Sequence, residues 1–373
     1  MKKVLFVASV AGHINSFHLP YLKLFKENGY TVDVATQKET EVPVCDNHLK
    51  VTIERSPFKR ENIGAYKQLK KLFSENEYDI VHCHTPVASI LTRLAAREAR
   101  KRGTKVIYTA HGFHFFKGAP LLNWLIYYPI EKLCARWTDV LITINKEDYA
   151  LAKKKMPAKR VEYVPGVGID LEKFTSNKVT EEERASIRKS LGLSENDKML
   201  LSVGELNKNK NHSVIIQALA RMNNKNIHYF IAGKGIFEKH LIQLAKSLGI
   251  SENVHLLGYR TDIATLMQTA DVFCFPSFRE GLPVSLMEAM ACGLPVVASR
   301  IRGNVDLIDE GKGGYLCTPG DIDAFAGKIN LLTKNDALHK KMSVTNIESA
   351  SKYAIETITE HMDSIYKAVC SQV

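Results

Sequence analysis

The segment Pro276-Ser277-Phe278-Arg279-Glu280-Gly281-Leu282-Pro283-Val284-Ser285-Leu286-Met287-Glu288 places acids, a glycine turn and a helix start at a spacing that could do chemistry. It follows an apolar, strand-like run, and the helix it opens is stopped by Gly293 and Pro295. Pro283 is expected at the first helical position, where no N–H is needed. A helix start presents backbone N–H groups and the positive end of a dipole, which together hold a phosphate. Glu280 lies just before that corner and Glu288 one to two turns into the helix. Backbone N–H groups from Gly281 through Leu282 to Val284 could grip a diphosphate. Glu288 could accept two hydrogen bonds from the vicinal hydroxyls of a ribose, and Glu280 could do the same for a second sugar. That arrangement suits a nucleotide-sugar.

Histidines form the next set. His82 and His84 alternate along a strand and are expected to face opposite sides, too far apart to share an ion. His111 and His114, three apart around Gly112, could share one, but no third ligand has a suitable spacing for zinc. Asp321-Ile322-Asp323 spells the DxD of metal-dependent transferases. It follows Thr318-Pro319-Gly320 and precedes Ala324-Phe325-Ala326, so it reads as a helix N-cap with first-turn acids. No metal and no obligatory cofactor are expected. Cys45, Cys83, Cys134, Cys274, Cys292, Cys317 and Cys370 form no CxxC pair and lie mostly in apolar runs. Such a scatter suggests reduced thiols and a cytoplasmic chain.

The elements that must position these residues alternate strand and helix. Strands are expected at Lys3–Ala8, Thr31–Ala35, Asp79–His84, Lys105–Thr109 and Val140–Ile144, with helices at Phe17–Asn28 and Ser89–Arg100. The rhythm resets after Val164-Pro165-Gly166-Val167-Gly168-Ile169-Asp170, a punctuation suited to a hinge. Further strands follow at Met199–Val203, Tyr229–Ala232, Val254–Leu256, Val272–Phe275 and Pro295–Ala298. Helices at Glu181–Lys189, Ser213–Met222 and Phe237–Leu248 intervene. The expected fold class is α/β: two Rossmann-like, doubly wound domains facing each other across a cleft, with boundaries at 1–168 and 169–373. The C-terminal helix could pack back on the first domain.

A length of 373 residues suits two domains, and 45% apolar with 24% charged residues excludes disordered and fibrous classes. No apolar run reaches the roughly 18–20 residues of a membrane span. The apolar start Met1–Ala8 mimics a signal peptide but is broken by Gly12, His13 and Asn15, and reads as a buried strand. Net charge is +11, and it is uneven: residues 1–170 carry 27 Lys and Arg against 17 Asp and Glu, the remainder 24 against 23. A basic first half could meet nucleic acid, an anionic membrane surface or a phosphorylated ligand. Signals for an RNP motif, a zinc finger or a helix-turn-helix are missing, so no nucleic acid is expected.

Glu280, seven intervening residues, Glu288 and the trailing Ala289-Met290-Ala291-Cys292-Gly293-Leu294-Pro295 resemble the signature of retaining GT-B glycosyltransferases of family 4, the glycosyl transferases group 1. Val203-Gly204-Glu205-Leu206 through Lys210, Ala232-Gly233-Lys234-Gly235, Leu257-Gly258-Tyr259-Arg260-Thr261-Asp262 and Arg302-Gly303-Asn304 follow in family order. His82-Cys83-His84-Thr85-Pro86, Tyr108-Thr109-Ala110-His111-Gly112-Phe113-His114-Phe115 and Lys117-Gly118-Ala119-Pro120 are similar to bacterial exopolysaccharide and capsule glycosyltransferases.

The resemblance implies a donor domain in the second half and an acceptor domain in the first. It places Glu280 on the donor sugar, Glu288 on the nucleotide ribose and Lys210 on the diphosphate. Gly12, in the first strand-to-helix loop, would let backbone approach the donor, and Tyr259 and Arg260 would meet the base. His111 would stand near the reacting sugar, with His13, His114 and Lys117 on the acceptor side. Many relatives have Arg directly after Gly204, where this chain has Glu205; Lys208 could substitute as a point charge.

The donor implied is UDP-hexose or UDP-N-acetylhexosamine, and the acceptor a polyprenyl-diphosphate-linked saccharide. No carboxylate is nominated as a nucleophile, so a same-face displacement is expected. The aromatic and aliphatic stretch Gly118–Ile130 could rest on the cytoplasmic leaflet, making the protein peripheral on the inner face of the membrane, or could be a helix buried on the sheet. A nucleotide-sugar epimerase on the same fold and a basic nucleic-acid-binding protein are the rival readings.

Overall fold

The structure, a computed structural model, describes residues 2–176 and 178–371. Thirteen described strands fall into two parallel sheets. The first holds β1 (Lys3–Val7), β2 (Thr31–Thr36), β3 (Asn47–Lys50), β4 (Ile80–Cys83), β5 (Lys105–Ala110), β6 (Val140–Thr143) and β7 (Arg160–Tyr163). Its order is β3-β2-β1-β4-β5-β6-β7. The second holds β8 (Lys198–Val203), β9 (Ile227–Ala232), β10 (Val254–Gly258), β11 (Val272–Phe275), β12 (Val296–Ser299) and β13 (Gly314–Cys317), in the order β10-β9-β8-β11-β12-β13. The two sheets share one winding: the chain starts in the middle, runs to one edge, then returns to the other side of its first strand. In each, strand order reverses beside that first strand, at β1/β4 and at β8/β11.

The central strands are buried on both faces, as parallel sheets covered by helices must be. Along β1, Leu5 and Val7 enter one hydrophobic cluster while Val4 and Phe6 enter the cluster on the opposite face. The chain divides into two compact units, one formed by the residues up to Gly168 and again from Glu356, the other by Ile169–Ile355. The helix Ile355–Cys370 belongs to the first unit from Glu356 onward: Ile358, Met362, Ile365, Tyr366 and Val369 are buried among Val4, Phe6, Leu22 and Phe25.

Several local expectations are corrected. The single helix expected over Phe17–Asn28 is two, Ala11–Phe17 and Leu19–Glu27, because His18 leaves the helical region (φ −125°, ψ 0°) two residues before Pro20. Ser89–Arg100 likewise becomes Pro86–Ala95 and Arg97–Lys101. The strands β3, β7 and β13 were not expected; all are at or beside sheet edges. Asp321 caps the helix Ile322–Lys334, accepting the Ala324 N–H at 2.9 Å, and Asp323 pairs with Arg221, so the DxD is a helix start. All seven cysteines are free thiols, five of them buried.

Candidate active site

In the second unit the loops leaving β8 and β11 emerge side by side, where open α/β sheets take their ligands. Backbone and amide contacts stitch the two loops. The Phe278 N–H donates to the Asn209 carbonyl (2.8 Å), Asn209 Nδ2 to the Arg279 carbonyl (2.9 Å), and Asn211 Nδ2 to the Pro276 carbonyl (3.2 Å). Across that seam Lys210 Nζ donates to Glu280 Oε1 at 2.8 Å, its ammonium 5.1 Å from the centre of the Phe275 ring. Both side chains are largely sheltered, 21% and 15% exposed. Gly204 lies against the Lys210 stem: a Cβ there would stand 3.3 Å from Cε.

Arg302, buried, donates from Nε to the Glu280 carbonyl at 3.2 Å, and the next residue supports the same turn. Gly303 has φ +83°, and a Cβ on it would fall 2.3 Å from the Gly281 carbonyl oxygen, so only glycine fits. Sequence reasoning placed Arg302 in a motif but missed its role under the Glu280 turn.

The helix Val284–Ala291 starts one residue later than expected. Pro283 is its N-cap (φ −77°, ψ 123°), since its extended ψ leaves it outside the helix while its carbonyl accepts from Met287 N–H. No side chain caps the first turn from that position. Leu282 is buried and anchors the corner. Glu288, half-buried on this helix, has its carboxyl pushed up to about 7 by burial, with Lys173 opposing. If Glu288 grips a ribose, as the resemblance implies, its carboxyl must be ionised, and the phosphodiesters of a nucleotide-sugar do not titrate near neutrality. The donor KM is therefore expected to fall as pH rises through about 7, and Glu288→Gln should flatten that limb in initial-rate measurements.

The other expected donor contacts lie on the loop after β10 and on the loop after β8. Tyr259 is 74% exposed after β10, and Arg260 forms a two-pronged pair with Asp262 at 2.8 and 2.5 Å. Lys208 and Glu205 are exposed on the loop that carries Lys210.

In the first unit the ends of β1, β4 and β5, adjacent in the sheet, deliver the histidines. Gly12 is the second residue of the helix Ala11–Phe17 rather than part of the loop before it, because the helix begins directly after Val10. It is exposed, with its N–H on Glu39 Oε1 at 3.2 Å. His13 Nε2 lies 3.2 Å from both His111 Nε2 and His18 Nε2. His84 stacks on His18 with ring centres 3.8 Å apart.

The expected separation of His82 from His84 is overturned. Residues two apart on a strand share a face, and their ring centres are 4.1 Å apart. His82 is held on both nitrogens, at 2.8 Å each, by Tyr366 Oη and Thr109 Oγ1. Burial lowers His13 to about 4 and His82 to about 3, and drives His18, His84 and His111 well below the ordinary imidazole value, so all five rings are neutral at physiological pH.

His114 is not part of this group; it stacks on Tyr127 at 4.5 Å. His13 and His114 do meet in a cleft of about 320 Å³, lined also by Ser9, Arg55, Thr85 and Tyr127. No motif marks Arg55 or Tyr127 in the sequence. Lys117 is exposed on the following loop, its N–H donating to Glu147 Oε1 at 2.8 Å.

Residues 3–145 match the glycosyl transferase 4-like family and residues 183–348 the glycosyl transferases group 1 family. The chain is 43% identical over 370 residues to the Bacillus subtilis (strain 168) protein EpsD, covering 98% of this chain and 97% of that one. It is 32% identical over 294 residues, 74% of each chain, to an Escherichia coli UDP-Gal:alpha-D-GlcNAc-diphosphoundecaprenol alpha-1,3-galactosyltransferase. Among solved structures, Anabaena Alr3699/HepE in complex with UDP and glucose superposes with a TM-score of 0.80 at 20% identity, covering 99% of this chain and 100% of that one. Two doubly wound units of the GT-B kind, joined to identity of this extent along nearly the whole chain, make the protein an enzyme of the group 1, family 4 glycosyltransferases.

Proposed function

We propose that this enzyme moves a hexose or N-acetylhexosamine from a UDP-sugar onto a lipid-diphosphate-linked saccharide, with retention at the anomeric carbon, during assembly of a cell-surface polysaccharide. The observation that carries the donor half is the Lys210–Glu280 contact beside the start of the helix Val284–Ala291. A diphosphate arriving at that corner offers Lys210 a stronger partner than one carboxylate. Lys210 then neutralises phosphate and Glu280 is released to accept hydrogen bonds from the sugar hydroxyls, while Glu288 accepts those of the ribose. Lys208 adds a second positive charge where Arg is missing, and Tyr259 and Arg260 flank the base. The acceptor half is supported by the diphosphoundecaprenol in the name of the Escherichia coli relative and by the cleft holding His13, Arg55 and His114.

In the transfer, the bond from the anomeric carbon to the diphosphate oxygen breaks and its electron pair leaves with UDP. Lys210 and the helix start stabilise that growing charge. The acceptor oxygen forms the new bond on the same face, and its proton passes to the departing phosphate oxygen. His111, neutral, hydrogen-bonds the sugar rather than contributing charge.

The test is nucleotide release by the purified enzyme across a panel of UDP- and other nucleotide-sugars, with and without a polyprenyl-diphosphate-linked sugar. Release of UDP that requires the lipid-linked acceptor supports the reading; turnover independent of acceptor, or epimerised donor as sole product, overturns it. In the same assay Lys208→Ala should raise the donor KM several-fold with kcat nearly unchanged, as expected for uniform binding of charge.

Membrane contact belongs to this reading. Among the described residues no helix is long and apolar enough to cross a membrane. The helix Leu121–Ala135 instead exposes Leu121, Leu122 and Leu125 while Trp124 packs back on Phe115. Three exposed leucines on a basic unit suit partial insertion among anionic headgroups. Replacing all three by serine should cut flotation with anionic liposomes by about tenfold or more, since each buried leucine contributes roughly 1.5 kcal/mol or more.

A further inference from the structure

We propose that His13, His18, His84 and His111 form a binding site for one divalent transition metal ion of the zinc class, at the point in the first unit where strand order reverses. One ring nitrogen from each of the four lies within 4.8 Å of the others. The contributing segments are far apart in the chain but leave adjacent strand ends: His13 after β1, His84 after β4 and His111 after β5. His18, between the first two helices, closes the group.

Hydrogen bonding alone does not satisfy this geometry. An imidazole nitrogen carries either one proton or one lone pair, directed along a single line in the ring plane. His13 Nε2 nevertheless has two short contacts, 3.2 Å to His18 Nε2 and 3.2 Å to His111 Nε2, and one proton can serve only one of them. Both nitrogens of His84 and Nδ1 of His18 are buried without a hydrogen-bond partner, which is costly for polar atoms in an interior. A cation between the rings removes the conflict at His13 and occupies one of the orphaned His84 nitrogens, since it draws one lone pair from each ring to one centre. The two 3.2 Å contacts at His13 are close to what a tetrahedral ion sets, since zinc–nitrogen bonds of 2.0–2.1 Å hold ligand atoms about 3.3–3.4 Å apart. Neutral imidazole is also the ligand that zinc, nickel and copper accept readily.

His82 stays outside the set because Tyr366 and Thr109 occupy both its nitrogens, and it braces the ring of His84 from behind. Four protein ligands make a closed, structural site rather than an open catalytic one. Its effect would be to pin the ends of β1, β4 and β5 together and to fix the ring of His111. Ligation through Nε2 leaves the opposite edge of that ring for the sugar. The site rests on the first unit alone and stands or falls separately from the choice of donor and acceptor.

The test is metal content. Chelator-treated full-length enzyme is dialysed against Zn2+ or Co2+, passed through gel filtration and analysed by mass spectrometry. Expected are one equivalent of retained metal per chain, the intense visible absorption of four-coordinate Co2+, and a higher Tm with Zn2+. His18→Gln and His84→Gln, checked for folding by circular dichroism, should each lower retained metal at least tenfold, whereas His114→Gln should keep the full equivalent. Sub-stoichiometric retention by the wild type, or a six-coordinate cobalt spectrum, overturns the proposal without any variant. Equal retention by His18→Gln and His84→Gln overturns the assignment of these ligands.

Discussion

Glu280→Ala is expected to lower kcat by about 10²–10³-fold, with circular dichroism and Tm close to wild type. The carboxylate and the Lys210 ammonium are largely sheltered but keep 15% and 21% of their surface in solvent, so the cost of parting them is expected to be modest beside the effect on the reaction. Its effect should be on the reaction: without Glu280 the sugar loses acceptors for its hydroxyls and the anomeric carbon is no longer held in line. Lys210→Ala should behave differently, raising the donor KM as well as lowering kcat, because phosphate charge is present before and during bond breaking. Steady-state kinetics with a lipid-linked acceptor separates the two. Activity of Glu280→Ala within fivefold of wild type would remove this acid from the site.

The second large effect is on stability. Arg93 is fully buried beneath the first sheet, yet it carries a charge. Nη2 donates to Glu131 Oε2 at 2.8 Å, Nε to the Ser89 carbonyl at 3.0 Å, and the guanidinium lies 4.2 Å from the centre of the Tyr108 ring. Arg93→Ala strands the buried Glu131 carboxylate and should destabilise the first unit by about 3–5 kcal/mol. For a unit of this size that corresponds to a fall in Tm of roughly 6–20 °C in calorimetry. Combining Arg93→Met with Glu131→Leu should recover more than half of the loss, since both charges then leave together. If the single variant melts within 2 °C of wild type, burial of the pair has been overestimated.

How far the sequence is legible depends on whether a feature is contiguous. The central strands β1, β4, β8 and β11 are buried on both faces and stand out as mainly apolar runs, broken inside only by His82 and Ser202. β3 (Asn47–Lys50) and β7 (Arg160–Tyr163) are edges, half-exposed and polar, and have no such run to show. The same contrast holds in the sites. Glu280, Glu288 and the helix that carries Glu288 lie on one short segment, so turn chemistry, spacing and the family resemblance could nominate them together. Arg302 under the Glu280 turn, and Arg55 in the cleft, reach their places only through the fold. The histidines show a third case. Their convergence follows from β1, β4 and β5 being neighbours, a consequence of strand order that spacing cannot express. Within that group, the expected parting of His82 from His84 misapplied a rule, since a two-residue step along a strand returns to the same face.

The last long helix has a consequence for biosynthesis. Ile358, Met362, Ile365, Tyr366 and Val369 fill the core of the unit that the first 168 residues begin, and Tyr366 holds His82 from below the sheet. A ribosome that has just finished Gly168 has therefore made every strand of that sheet but not its cover. At about 5–20 residues per second, some 10–40 s pass before Tyr366 is added, nearly all of it spent making the segment Ile169–Ile355. Through that interval Val4, Phe6 and Phe25 lack their partners, and the nascent chain offers an apolar face for a chaperone to cover.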